Sequence, residues 1–335
     1  MSQIYTTNIF QKICCKFRHY YECVFPKKEQ HIQRIEDPEA ADQIIYQQLI
    51  QDEPCMIARF GSTELYCLAN YLGTKKGFPK SFIPFLFAKS EAWWMMPQRI
   101  ADLKNCSGFF SAEKEGDITQ FCELMLSDMS YVDVLGSWVS KESQVADYIQ
   151  QAKKVFLPYL EPYYASKPWS RALAGKKVLV IHPFANQIKR QYQVNRVHIF
   201  HNSQILPEFD LMVLPAIQSL GGESNGFASW FDALDYMKAE MDKIDYDICI
   251  IGCGAYGFHL AAHSKRMGKK AIHMGGATQL LFGIKGNRWE DPMYGVKEWG
   301  LPEGFYTNMF NEYWIKPGDE GRPKNAEQVE GACYW

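Results

Sequence analysis

The second half of the chain alternates short hydrophobic runs with longer segments in which apolar residues recur at helical spacing. The apolar runs are "KKVLVIHPF", "FDLMVLPA", "YDICIIGCG" and "KKAIHMGG", and the segments between them have the length of helices. Buried strands that alternate with helices are typical of a parallel sheet covered on both faces. The pattern therefore predicts an α/β protein with a Rossmann-like, doubly wound and mostly parallel sheet.

The first half of the chain shows this pattern less regularly. An Asp-Pro pair at 37–38 predicts the start of a helix that extends to about residue 50, because proline is favoured at the first helical position. Residues 55–60 are predicted to form a buried strand, and residues 62–71 a helix. We expect further strands in "CSGFFS" and "YVDVLGSW", with the helix "EGDITQFCELMLSDM" between them, and short helical or irregular structure over 74–100.

The chain divides into one large domain with an extension at each end. With 335 residues, 47% of them hydrophobic, it can bury the core of a single large domain, which we place at 37–317. Residues 1–36 form a basic, aromatic helical extension, which either packs on the domain or lies on an anionic membrane surface. Residues 318–335 are predicted to be a tail. The extension does not fit a signal peptide, and no apolar run reaches the ~20 residues of a spanning helix. We therefore expect a cytoplasmic protein, with the inner face of the membrane as the alternative.

Composition limits the partners that the chain can recruit. The formal net charge is −2, so no global field attracts nucleic acid, and we expect no nucleic-acid partner. An anionic ligand would have to be held by local groups. The ten cysteines are scattered without zinc-like spacing, which favours reduced thiols over a disulfide framework.

A glycine-rich turn follows one predicted strand and opens the next helix. The segment "GCGAYG" (252–257) has the spacing GxGxxG, in which glycines allow close approach of a phosphate to the helix start. The next strand ends at His273 without the carboxylate that dinucleotide binding expects, so a nucleoside diphosphate fits better than NAD. The alternative is that the glycines serve only tight strand–helix packing. The predicted phosphate-binding residues of this turn are Gly254, Ala255, Tyr256 and Gly257.

Three further segments carry candidate chemistry at predicted strand ends. His182 follows a strand directly before a helix and could contact a phosphate or a ribose, or simply cap the strand. Glu223 lies in the polar loop "GGESNG" and is a candidate general base, with a helix-start carboxylate as the alternative. The segment "GGATQLLFGIKGNRW" could close over an acceptor or a diphosphate, or could be a structural loop. Its candidate ligand-binding residues are Gln279, Lys285 and Arg288.

The stretch "IARFGSTEL" (57–65) places an arginine and a glutamate around the turn between a strand and a helix. Arg59 at the strand end can meet a diphosphate, and Glu64 in the first helical turn suits both the helix dipole and ligand hydroxyls. The alternative is an Arg59–Glu64 ion pair with Ser62 as the N-cap.

This stretch resembles the "RFGDGE" segment of the GT-D type glycosyltransferases. The later order of parts is similar, with a strand leading into a helix near residue 182 and "GCGAYGFHLA" followed by "GKKAIHMGG"; the resemblance spans roughly residues 40–290. It implies an α/β domain that transfers a sugar from a nucleotide-diphosphate donor to a glycan or lipid-linked acceptor. The implied process is synthesis of a surface polysaccharide such as a capsule or lipopolysaccharide.

The resemblance also assigns residues. Arg59 and Gly61 match the motif arginine and glycine, and Glu64 matches the second acid of the Asp-x-Glu pair that the family associates with a divalent metal. Ser62 stands in place of the first acid. One carboxylate and one hydroxyl make a weak site for Mg²⁺ or Mn²⁺, so metal dependence stays open, and Glu64 is equally a catalytic base or a ligand of the donor sugar. Two other hypotheses are an S-adenosylmethionine methyltransferase and a non-enzymatic, nucleotide-binding scaffold at a membrane surface.

Overall fold

The chain forms a seven-stranded sheet in which every described strand pair is parallel, with helices on both faces. The structure, a computed structural model, describes residues 5–26, 32–111, 116–318, 322 and 332–335. The predicted Rossmann-like, doubly wound α/β class is confirmed, and the sheet is parallel throughout. The strands are β1 (Met56–Arg59), β2 (Val134–Ser137), β3 (Lys153–Phe156), β4 (Lys177–His182), β5 (Asp210–Pro215), β6 (Ile248–Ile251) and β7 (Lys270–His273).

Helices connect and cover these strands. The α-helices are α1 (Ile9–Val24), α2 (Pro38–Ile50), α3 (Ser62–Lys76), α4 (Phe82–Leu86), α5 (Pro97–Ser107), α6 (Asp117–Met129), α7 (Ala185–Ile199), α8 (Trp230–Met241), α9 (Tyr256–Arg266), α10 (Asn287–Glu290) and α11 (Val296–Trp299). Short 3-10 helices lie at Ser140–Tyr148, Leu157–Leu160, Trp169–Leu173, Leu220–Gly222, Gly275–Phe282 and Thr307–Met309. Within the described residues, no helix is both long enough and apolar enough to span a membrane.

The order of the strands creates a crevice at one edge of the sheet. The spatial order is β3-β2-β1-β7-β6-β4-β5. After β4 the chain passes to β5 through α7, whose Ile188 packs in the core on one face. After β6 it passes to β7 through α9, whose Leu260 packs in the core on the opposite face. Because β4 and β6 are neighbours, the chain leaves them in opposite directions, and such a switch point is where open parallel sheets bind ligands.

Several predicted boundaries are confirmed by local interactions. Asp37 caps α2 by accepting a hydrogen bond from the Ala40 amide at 2.7 Å, with Pro38 at the first helical position. In β1 the residues Met56 to Ala58 are completely buried, as expected for a central parallel strand. Helix α3 begins where predicted but continues beyond residue 71 to Lys76.

Two predictions about the first half were incomplete or wrong. "CSGFFS" is not a strand, because α5 continues through Ser107 and ends at Gly108, whose φ of 82° gives the left-handed conformation that terminates helices. Strand β3 was not predicted. It is short, and it lies at the edge of the sheet with Lys153 exposed, so its sequence carries little hydrophobic signal.

The two predicted extensions differ in how they meet the domain. Helix α1 packs on the α4 region, with Phe10 stacked on Phe82 at 5.7 Å and Phe17 against Phe87 at 6.1 Å. Residues 1–4 and 27–31 of the predicted extension lie outside the described residues, as do 319–321 and 323–331 of the predicted tail. The segment 332–335 packs on the domain and buries Trp335.

Candidate functional site

The carboxyl ends of four strands meet at one cavity of about 180 Å³. Arg59 ends β1, His182 ends β4, His273 ends β7, and Gly252 directly follows β6. The turn after β1 and the glycine-rich turn after β6 are far apart in sequence, yet both line this cavity. We call it the cleft.

The cleft brings together most of the residues that the sequence singled out. Lining it are Arg59, Gly61, Ser62, Glu64, His182, Gly254, Tyr256, Gln279 and Arg288. Four predicted site residues are not among its lining residues: Glu223, Ala255, Gly257 and Lys285.

Arg59 supplies a positive charge to the cleft. Its guanidinium lies over the Trp138 ring at 5.1 Å, and its buried Nε has no hydrogen-bond partner among the described residues. Gly275, with φ of 65°, gives it room, because a Cβ at this position would lie 2.8 Å from Nη1. No described carboxylate forms an ion pair with Arg59, so the alternative of an Arg59–Glu64 pair is wrong. No described carboxylate therefore neutralises the charge of this guanidinium.

Glu64 folds back over the start of α3. A Cβ on Gly61 would lie 1.8 Å from Oε2 of Glu64, so only glycine leaves space for this carboxylate. The Thr63 hydroxyl donates a hydrogen bond to the same oxygen at 2.9 Å. Gly61 is the N-cap of the helix and Ser62 its first residue, so the predicted Ser62 cap is not formed.

The start of α9 offers fewer free amides than its sequence indicated. The Ala255 amide donates to the Ser107 carbonyl at 3.1 Å, and the Tyr256 amide donates to the Cys253 carbonyl at 3.3 Å. Among the described residues, the amides of Cys253 and Gly254 have no partner. Both residues line the cleft, so their amides are backbone donors available to an anion there.

Gly257 has a packing role. A Cβ there would lie 2.3 Å from Cε1 of His273, so glycine lets α9 approach the end of β7. This matches the packing alternative for that glycine. Its amide donates to the Gly254 carbonyl at 3.1 Å.

Two neutral histidines present opposite hydrogen-bonding groups. Nδ1 of His182 accepts from the Phe184 amide at 3.0 Å, which leaves the ring proton on Nε2. Nδ1 of His273 donates to the Ile251 carbonyl at 3.3 Å, which leaves its Nε2 as an acceptor. Burial lowers the pKa of His182 to about 3, and burial together with the positive charge of Arg59 lowers the pKa of His273 to about 3. Both rings stay uncharged at neutral pH.

Sequence reasoning missed several lining residues. His273 could have been found by the signal that identified His182, a histidine at the carboxyl end of a parallel strand. Trp138 is fixed by hydrogen bonds from its ring nitrogen to the Phe60 carbonyl at 2.9 Å and from its amide to Glu142 at 2.8 Å. No local signal marks it. The missed lining residues include Trp138, Ser219, His273, Tyr334 and Trp335.

The loop at 275–289 contributes Gln279 and Arg288 to the lining of the cleft and also supports the segment 332–335. Nε2 of Gln279 donates to the Tyr334 carbonyl at 3.2 Å, and the Asn287 amide donates to the Trp335 carbonyl at 3.1 Å. These contacts place the rings of Tyr334 and Trp335 on the wall of the cleft. Lys285 instead forms an ion pair with Glu290 at 3.1 Å.

The acidic groups of the cleft are few. Glu64 is the one carboxylate among the described lining residues, and Glu223 follows the 3-10 helix Leu220–Gly222 outside the lining. Within the described part of the chain, no three His, Cys, Asp or Glu side chains cluster as metal ligands. A Mg²⁺ or Mn²⁺ ion favours several oxygen ligands, so these residues do not make a metal site by themselves.

Comparison with protein-family models, with curated proteins and with solved structures finds no match to this chain.

Proposed function

We propose that this chain is a glycosyltransferase that binds a nucleotide-diphosphate sugar in the cleft. The observation that carries the proposal is the guanidinium of Arg59, which lines a cavity at the sheet's carboxyl edge and has no carboxylate partner among the described residues. A cation in such a position is suited to a diphosphate. The resemblance of "RFGSTE" to the GT-D motif points to the same ligand class.

Five residues of the cleft have assigned roles in this proposal. Arg59 and the amides of Cys253 and Gly254 bind the diphosphate, and Nε2 of His182 donates to a phosphate or ribose oxygen. Glu64 accepts from a hydroxyl of the donor sugar. During transfer the bond between the sugar's anomeric carbon and the phosphate oxygen breaks, and the electron pair leaves with the diphosphate. The charge of Arg59 stabilises this leaving group.

No step is assigned to a divalent metal. The single carboxylate, Glu64, already accepts from Thr63 and does not form an ion site with described neighbours. We expect the affinity for the nucleoside diphosphate to change less than twofold when EDTA replaces Mn²⁺.

The acceptor is proposed to be a glycan or a lipid-linked glycan at a membrane surface. Helix α1 packs with one side on α4 and leaves an apolar strip exposed on its other side, flanked by Lys12 and Lys16. We call this strip the α1 face; its residues are Ile9, Ile13, Tyr20 and Val24. Lysines around a nearby surface depression add positive charge: Lys75, Lys76, Lys80 and Lys89. An apolar strip with flanking lysines suits an anionic bilayer.

The two other hypotheses have weaker support. A methyltransferase would need a carboxylate for ribose hydroxyls at the end of the strand that follows the glycine turn, and β7 ends at the neutral His273. A scaffold without activity would use the α1 face but would have no need for an uncompensated cation in the cleft.

Thermal-shift titration with UDP, GDP, CMP and S-adenosylmethionine tests the proposal. We expect a nucleoside diphosphate to raise the Tm, and Arg59→Gln to weaken its binding at least tenfold, or ~1.4 kcal/mol. Arg190→Gln, an exposed arginine on α7, is the control and should bind as the unmodified chain does. A chain that binds only S-adenosylmethionine, or that turns over no nucleotide sugar, would contradict the proposal.

A further inference from the structure

A second cavity, of about 360 Å³, adjoins the cleft. The two cavities share wall residues, namely Arg59, Trp138, Gly276, Arg288 and Tyr334. Beyond this shared wall the second cavity is lined by groups that the cleft lacks, including Glu161, Tyr294 and Trp299. The two cavities are therefore neighbours, and Arg59 lines both of them.

Glu161 is held in this cavity without a balancing cation. The Tyr306 hydroxyl donates to both of its oxygens, at 3.1 and 3.3 Å, and the Tyr164 hydroxyl lies 3.0 Å from that of Tyr306. No described basic side chain forms an ion pair with Glu161. Burial raises its pKa to about 8, and the Tyr306 hydrogen bond limits that rise. The other titratable or charged groups of its surroundings are Arg59, Tyr163, Tyr294, Arg288, Glu298 and Cys333.

Aromatic rings complete the wall. Trp138 and Trp299 meet edge to face at 5.7 Å, and both rings are only partly buried. Phe156, which is not a lining residue of this cavity, lies 5.9 Å from Trp299. Partly exposed indole rings give flat apolar surfaces for the C–H faces of a sugar, and a carboxyl beside them can bind its hydroxyls.

We infer that the second cavity is the acceptor-sugar subsite and that Glu161 takes the proton from the attacking acceptor hydroxyl. The inference rests on the proposed function and names the part of that site which receives the acceptor. The acceptor oxygen forms a bond to the anomeric carbon of the donor, the bond from that carbon to the phosphate oxygen breaks, and the diphosphate keeps the electron pair. The hydroxyl proton passes to a carboxylate oxygen of Glu161 and then to water.

The raised pKa of Glu161 predicts how the rate of transfer depends on pH if this carboxylate is the base. A general base must be ionised, and one whose pKa lies close to the working pH combines adequate ionisation with basicity. Transfer should therefore accelerate as the pH rises toward about 8. Tyr306→Phe removes the hydrogen bond that lowers this pKa, so the rise in rate should move to higher pH. A structural role for the carboxyl would not produce that movement.

The experiment uses the full chain with the nucleotide sugar that corresponds to the best-binding nucleoside diphosphate, and with p-nitrophenyl glucoside, galactoside and mannoside as acceptor probes. We expect Glu161→Gln to lower kcat at least 100-fold while the Kd of the nucleoside diphosphate stays within twofold. Trp299→Ala should raise the acceptor KM about tenfold without changing the donor KM. Glu208→Gln, on the exposed surface, is the control.

Saturation-transfer NMR with the same glycosides tests the subsite without turnover. We expect a signal for the unmodified chain and its loss in Trp299→Ala. The inference is overturned if Glu161→Gln keeps the kcat and pH profile of the unmodified chain, or if nucleoside diphosphates bind but no glycoside does. If no nucleoside diphosphate binds, the proposed function fails instead, and a glycoside signal that Trp299→Ala abolishes would still support a sugar site here.

Discussion

At the scale of single residues, the cleft depends on buried groups whose charge states are set by their surroundings. His182 and His273 are both buried at strand ends, and each has one ring nitrogen committed to the backbone. Because they are neutral, they add no positive charge, and Arg59 is the cation that the sheet itself contributes to the cleft. An anion would therefore be recognised by the guanidinium groups of Arg59 and Arg288, which both line the cleft, and by neutral donors.

The two histidines should make stability fall in mild acid. Their folded pKa of about 3 lies below the ordinary 6.5, so the unfolded chain binds more protons between these values. Their contribution is complete above pH 6.5 and is lost as the pH falls toward 3, with a slope of up to ~1.4 kcal/mol per pH unit for each. Glu161 has the opposite effect, because its folded pKa of about 8 lies above its ordinary 4.5. Between these values the folded chain binds more protons, so the contribution of Glu161 to stability falls as the pH rises.

Urea unfolding at several pH values from 7 to 4.5 compares the unmodified chain with His182→Gln. The comparison isolates the contribution of His182 to the pH dependence of the free energy of unfolding. We expect the variant to be less stable at pH 7 but to lose less stability on acidification. His201→Gln, an exposed histidine, should behave as the unmodified chain. Equal slopes for all three proteins would show that His182 is not held neutral by burial.

At the scale of elements, strand-turn-helix units explain why much of the site could be predicted. Parallel strands end at the same edge, so Arg59, His182 and the turn at 252–257 were expected together from the order of elements alone. What could not be predicted depends on contacts between distant segments. Trp138 is held by a hydrogen bond to Glu142 of a 3-10 helix. Tyr334 packs against Gly276 and Gly286 of the loop at 275–289, whose glycines were interpreted from the sequence as part of a loop that closes over a ligand.

Gly286 packs directly against the backbone of the segment 332–335. A Cβ there would lie 2.7 Å from the Tyr334 carbonyl carbon and 2.8 Å from the Cys333 oxygen, which are backbone atoms that cannot rotate away. We expect Gly286→Ala to displace the segment 332–335 and to lower the free energy of unfolding by ~1–3 kcal/mol.

Hydrogen exchange measures this displacement, because the Asn287 and Arg288 amides donate to carbonyls of that segment. Both amides should exchange faster in Gly286→Ala. Gly318→Ala is a matched control, since its nearest neighbour, Gln187, lies at an ordinary 3.6 Å. Unchanged exchange in Gly286→Ala would mean that the segment does not pack as described.

At the scale of the whole molecule, two kinds of surface accompany the sheet. Its carboxyl edge holds the cleft and the adjoining cavity, whereas α1 lies on the α4 region with an apolar strip facing outward. The sequence predicted a basic, aromatic helix here and left its partner open. Packing settles which side of α1 meets the protein, because Phe10, Cys14 and Phe17 face the domain.

The α1 face should bind anionic bilayers. We expect the chain to sediment with vesicles of phosphatidylcholine and phosphatidylglycerol at 3:1, and less with phosphatidylcholine alone or in high salt. Ile13→Glu combined with Tyr20→Glu should reduce binding at least tenfold. Both side chains are more than half exposed, so the fold should persist.

Val194→Glu combined with Val197→Glu is the matched control, because these exposed valines lie on α7. It should sediment with anionic vesicles as the unmodified chain does. The alternative outcome is a chain that does not bind vesicles and is dimeric by light scattering. If substitution of Ile13 and Tyr20 then makes it monomeric, the α1 face is an interface with a second copy of the chain instead.

The position of Arg59 in the wall between the two cavities couples them energetically. An anion that engages this guanidinium from one cavity changes the field that a molecule in the other encounters. Thermodynamic reciprocity then requires each occupant to alter the affinity of the other by the same factor. Arg59, together with Arg288 in the same shared wall, thus makes occupancy of the two cavities cooperative, and the sign and size of that cooperativity become measurable properties of these two guanidinium groups.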